Sequence, residues 1–206
     1  MIALVDYRAG NLTSVRKALT ALGATFETPE TPEALSGAAG IIVPGVGHFA
    51  STANLSDGWR RAVLARVSAG VPLLGICVGM QWLFQGSDEA PQCPGLGLLD
   101  GRCARLVGDT ARRVKVPHVG WNGLELPPGS TSRLLAGVPS GSQVYFTHSY
   151  APPVTPDCAA ATIHGGTFAA AVERDGVFGV QFHPEKSSDI GLGILRNFLD
   201  ECDRPR

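Results

Sequence analysis

The chain has 206 residues, a length that one domain of ordinary size accounts for. Hydrophobic residues make up 44% and charged residues 17%, which excludes a disordered or acidic-tail protein. Lys and Arg number 17 against 18 Asp and Glu, so a net charge of -1 leaves no whole face to attract nucleic acid or an anionic membrane. The longest apolar run, residues 69–80, is broken by Pro72 and is too short to span a bilayer. Asp6 and Arg8 arrive too early for a signal peptide. The 5 cysteines have neither disulfide-framework nor zinc spacing and read as reduced thiols. The expectation is a cytoplasmic globular protein of one domain, residues 1–206.

Residues 1–6 form a short apolar strand. After the Arg8-Ala9-Gly10-Asn11 turn, Leu12, Val15, Leu19 and Leu22 recur at helical spacing, and Gly23 suits the helix end. Residues 24–27 and 39–43 read as strands, the second of them buried. A helix is expected over 56–69, a buried strand over 71–76 and a second helix over 78–85. This alternation predicts an α/β fold: an open, mostly parallel sheet with helices on both faces. From 96 to 180 the pattern changes to short β-type runs at 113–116, 124–126, 143–146, 168–172 and 177–182, an added antiparallel section. Residues 190–202 close the chain with a helix. The sequence has no internal repeat or linker.

Gly75-Ile76-Cys77-Val78-Gly79 lies between a strand and a helix, in the cysteine form of a nucleophile elbow. Glycines on both sides permit the tight turn, and the following helix aims its positive end at Cys77, which favours thiolate. The alternative is a buried structural cysteine beside packing glycines. A cysteine nucleophile needs a base and a group that orients the base. His183-Pro184-Glu185 supplies both at the end of a strand, because residues two apart on an extended chain share a face. A plain surface turn would look the same. His48, His148 and His164 are weaker candidates. Finally, Pro44-Gly45-Val46-Gly47 follows a strand. Its backbone N–H groups, with that of Val78, suit a developing oxyanion, although a phosphate cradle is a second reading of such a turn.

These three segments, in this order, resemble the class I glutamine amidotransferases. Further stretches narrow the resemblance to the branch that serves imidazole glycerol phosphate synthase in histidine biosynthesis. They are Asp6-Tyr7 with Gly10-Asn11, Pro117-His118-Val119-Gly120-Trp121-Asn122, Phe146-Thr147-His148-Ser149-Tyr150, and residues 182–188. The resemblance covers essentially the whole chain. One departure is Arg8, where the family usually has glycine.

The resemblance implies a two-step hydrolysis of glutamine with no cofactor and no metal. Cys77 is the nucleophile, His183 shuttles protons and Glu185 orients His183. Val46, Gly47 and Val78 form the oxyanion hole, and Gln81, Ser149 and Tyr150 line the glutamine pocket. The implied partner is the (β/α)8-barrel cyclase subunit of imidazole glycerol phosphate synthase, in a heterodimer. His118, Trp121, Asn122 and Lys186 are the expected partner-facing residues. A buried Trp121 and a solvated lysine are the alternative. Service to an anthranilate or pyridoxal phosphate synthase is a competing role, and a cysteine redox sensor on the same fold is another.

Overall fold

The computed structural model describes residues 1–9, 12–111 and 113–204; Gly10 and Asn11 of the first turn lie outside them. The strands are β1 (Ile2–Leu4), β2 (Phe26–Glu27), β3 (Gly40–Gly45), β4 (Leu73–Cys77), β5 (Ala104–Arg105), β6 (His118–Gly123), β7 (Gln143–His148), β8 (Tyr150–Ala151), β9 (Cys158–Ile163), β10 (Thr167–Arg174) and β11 (Val177–Val180). The α-helices are α1 (Leu12–Ala21), α2 (Asp57–Ser68), α3 (Val78–Leu83) and α4 (Ser188–Asp203).

Seven strands form the central sheet in the order β2-β1-β3-β4-β11-β10-β9, with the helices packed around it. The strands from β2 to β11 are parallel, and β10 and β9 continue the sheet antiparallel. β3, β4 and β11 are buried at every position, as strands covered on both faces must be. Phe178, Phe182 and Phe198 are fully enclosed in the core around them. Each such phenylalanine contributes ~1.5–3 kcal/mol over an exposed one.

The added section departs from the sequence reading in three places. Residues 113–116 and 124–126 form no strand, only the isolated bridges Asp109–Val114 and Glu125–Ala161. β9, which alternation did not reveal because its Cys-Ala-Ala-Ala-Thr-Ile run carries small side chains, is an edge of the main sheet. β6 and β7 pair with each other in a separate two-stranded sheet, as do β5 and β8.

Arg8 has φ +62°, in the left-handed region, and its N–H donates to Asp6 Oδ1 at 2.8 Å. Arg8 thus adopts a backbone conformation that favours glycine. Cys77, Cys93, Cys103 and Cys158 are free thiols. Among the described residues no helix is long and apolar enough to cross a membrane.

Candidate active site

The sheet register brings the three sequence motifs together. Gly45 at the end of β3 lies opposite Cys77 at the end of β4, and Val180 of β11 lies opposite Ile76. All three strands run the same way, so the glycine turn, the cysteine and His183 emerge side by side at one carboxyl edge, where open α/β sheets bind their ligands.

Cys77 has φ +54° and ψ -110°, a strained conformation between strand and helix of the kind that recurs at nucleophile elbows. The glycines around it are obligatory. A Cβ at Gly75 would meet the Gly79 carbonyl carbon at 2.7 Å, and a Cβ at Gly79 would overlap the carbonyl oxygen of Val43. On β11, a Cβ at Gly179, which pairs with Gly75, would meet Met80 Cγ at 2.7 Å. Two adjacent glycines of the sheet thus form the floor on which α3 rests, and this close seat fixes Cys77 above the edge. The thiol is buried, 2% exposed, with its sulfur 4.0 Å from the carbonyl of Thr147 and 3.6 Å from Gln181 Nε2.

His183 Nδ1 and Glu185 Oε1 are 2.8 Å apart, and both side chains are almost wholly buried. The remaining nitrogen, Nε2, is buried without a well-aligned hydrogen-bond partner, so it is free to exchange a proton. Burial alone would push the imidazole down. The thiol of Cys77 and the carboxylate of Glu185 outweigh it and raise His183 to about 10. An imidazolium beside a sulfur is the resting form of an ion-paired nucleophile and general acid.

The family described as "Glutamine amidotransferase class-I" matches residues 3–202. The chain belongs to the class I glutamine amidotransferases. A protein of Moorella thermoacetica named "Imidazole glycerol phosphate synthase subunit HisH" is 46% identical over 96% of this chain and 93% of its own length. One of the same name from Gloeobacter violaceus is 47% identical over 98% of this chain and 89% of its own. A crystal structure titled "glutamine amidotransferase" superposes with a TM-score of 0.74 at 22% identity, covering 98% of this chain and 99% of the other, and shares the fold.

Within the amidotransferase frame, the other expected residues fall as follows. The N–H of Val46 donates to the carbonyl of Ala9 at 3.2 Å, so this amide is already engaged. The next residue, Gly47, has φ +86°, in the left-handed region that favours glycine. Val78 opens α3 directly after Cys77. Gln81 Nε2 donates to the Tyr150 carbonyl at 2.8 Å, while its Oε1 is buried with no partner. The Ser149 carbonyl accepts from Leu106 N–H at 2.8 Å.

The expected partner-facing group divides. Trp121 is 52% exposed, which rules out the buried-anchor reading, and Lys186 is exposed. Asn122 is half-buried and donates to the carbonyl of Ile163 at 3.1 Å. His118 needs correction: it is only 4% exposed. Alternation along β6 turns 118 inward and 119 and 121 outward. His48 is not a base. Its Nδ1 accepts from the Ala50 N–H at 3.1 Å and caps a short 3₁₀ turn.

Two residues escaped the sequence reading. Tyr145 lies edge-on to Trp121, with ring centroids 6.0 Å apart, and under the Lys186 ammonium at 5.9 Å. Nothing local marks it, because the pairing of β6 with β7 creates the contact. Gln181 was legible: it stands two residues before His183, on the same side of an extended chain.

Proposed function

We propose that this chain is the glutaminase subunit of imidazole glycerol phosphate synthase, and that it passes ammonia to a (β/α)8-barrel cyclase subunit in histidine biosynthesis. The observation that carries this reading is the sheet register that brings Cys77 to the same edge as the His183–Glu185 pair, whose Nδ1 and Oε1 are 2.8 Å apart. Relatives that match nearly the full chain and carry that subunit's name give the reading its substrate and its pathway.

Cys77 Sγ attacks the carboxamide carbon of glutamine, and the C–O π electrons move to the oxygen. The oxyanion is held by the N–H of Val78 and by the N–H of Gly47 once the Val46–Gly47 peptide is turned toward it. His183 donates its Nε2 proton to the nitrogen as the C–N bond breaks, and ammonia leaves. Water then attacks the thioester, His183 takes its proton, and glutamate departs from the restored thiolate. Glu185 keeps the imidazolium in place through both steps. The unpaired Oε1 of Gln81 accepts an N–H of the bound substrate.

The docking surface is centred on β6. Val119 and Trp121 project from it, 58% and 52% exposed. Ile163, whose carbonyl accepts from Asn122, is 56% exposed, and Val107, beside Gly165, is 67% exposed. Four exposed apolar side chains on neighbouring segments, next to Lys186, form the kind of patch that marks a protein interface. The partners form a one-to-one heterodimer, and the pair works in the cytoplasm.

The test is glutamine-dependent cyclisation by this chain mixed with the cyclase. Glutamine turnover should rise at least about 10²-fold over the isolated chain once cyclase and its nucleotide are present, the worth of one oxyanion donor. Cyclisation that runs only with added ammonium salts, or turnover unchanged by the cyclase, would refute the assignment.

A further inference from the structure

The sulfur of Cys77 has a second polar neighbour that the acid–base steps do not use. Gln181, with no exposed surface, donates from Nε2 to Sγ at 3.6 Å. Its Oε1 accepts from Gln81 Nε2 at 3.0 Å, and that same nitrogen donates to the Tyr150 carbonyl at 2.8 Å. The Tyr150 carbonyl also takes the Nδ1 of His148 at 2.9 Å.

A carbonyl only accepts, so its partners have no freedom of polarity. His148 must carry its proton on Nδ1, and a neutral imidazole then accepts at Nε2. That atom lies 3.1 Å from Nδ1 of His118, which therefore donates. The Nε2 of His118 is left to accept from Asn122 Nδ2 at 3.3 Å. Both rings are neutral: His118 is lowered to about 3 and His148 to about 4, chiefly by burial. On the other side, the amide of Gln81 must turn its nitrogen to the Tyr150 carbonyl. Gln181 must then turn its oxygen to Gln81 and its nitrogen to the sulfur. One backbone carbonyl thus sets the polarity of four buried side chains between β6 and the nucleophile.

We propose that Gln181 is a positioning residue of the glutaminase reaction, which stabilises the thiolate of Cys77 through an N–H whose direction is fixed, through Gln81, by the Tyr150 carbonyl. With the amide turned over, its oxygen would face the sulfur and oppose the thiolate. The inference rests on Cys77 being the nucleophile.

Alkylation of Cys77 by iodoacetamide in the full chain, followed by mass spectrometry across pH, tests it. Gln181→Leu should lower the rate at neutral pH about tenfold or more, as expected on removing a hydrogen bond to a charged group. Gln181→Glu keeps the acceptor for Gln81 but sets a carboxylate beside the sulfur, and should fall further. Both should converge on the natural chain at alkaline pH, where the thiolate no longer depends on a neighbouring N–H. Equal rates at neutral pH overturn the proposal. Deficits that persist at alkaline pH also overturn it, because they report lost access or packing. Failure of glutamine to protect Cys77 in the natural chain would overturn the nucleophile assignment itself.

Discussion

Gly79, in the helix that follows Cys77, lies against the backbone carbonyl of Val43 so closely that any Cβ at position 79 would overlap its oxygen. The neighbour is backbone in the middle of a buried strand, so it has no rotamer with which to yield. Gly79→Ala must therefore lift α3 from the sheet and move Cys77 with it. Overpacking of this kind costs about 1–3 kcal/mol, or roughly 5 °C in Tm for a domain of this size. Glutamine turnover should fall with it. A calorimetric Tm equal to that of the natural chain would show that the helix has more room than this geometry allows.

Cys77→Ala separates chemistry from assembly. The side chain lost is small, and the glycine seat of α3 is untouched. Glutamine hydrolysis in the complex should disappear, while cyclisation driven by ammonium salts continues. More than trace glutamate release would exclude Cys77 as the nucleophile.

Glu185→Gln keeps a hydrogen-bond acceptor near His183 Nδ1 but removes the charge. Glu185 helps raise the His183 imidazole to about 10, so the variant should hold a less stable imidazolium. Turnover should drop about 10²–10⁴-fold, the range for a disabled general acid–base group, and less than in Cys77→Ala. Steady-state glutamate release across pH measures this, and an unchanged profile would leave Glu185 a structural role only.

Acid should destabilise the protein through its buried imidazoles. His118 is lowered from 6.5 to about 3 by burial and then by His148 and His164; His148 is lowered to about 4, again mainly by burial. Groups depressed in the native state bind fewer protons there than in the unfolded chain. Their contribution to stability is thus complete above pH 6.5 and is lost as pH falls toward 4 and 3. Urea midpoints should decline over that window, and His118→Phe should flatten the decline. Equal slopes for the two proteins would mean that other groups govern acid unfolding.

The chemistry of this site was largely legible in the chain itself. Glycines at 75 and 79 around Cys77, and a carboxylate two residues after His183, are local facts of spacing. Buried apolar runs likewise announced β3 and β4, because a strand covered on both faces is apolar throughout, whereas β11, read within the antiparallel section, pairs parallel to β4. Pairing is different. Only the register of three parallel strands, Gly45 opposite Cys77 and Val180 opposite Ile76, puts the turn, the thiol and the imidazole at one edge. Strand partners far apart in sequence are chosen by the packing of the whole sheet, so no local window contains them. For the same reason the inward turn of His118, its neutral pairing with His148 and the contact of Tyr145 with Trp121 came from the tertiary structure alone. Each depends on β6 lying beside β7, and the residues between them carry no strand signal that names the partner.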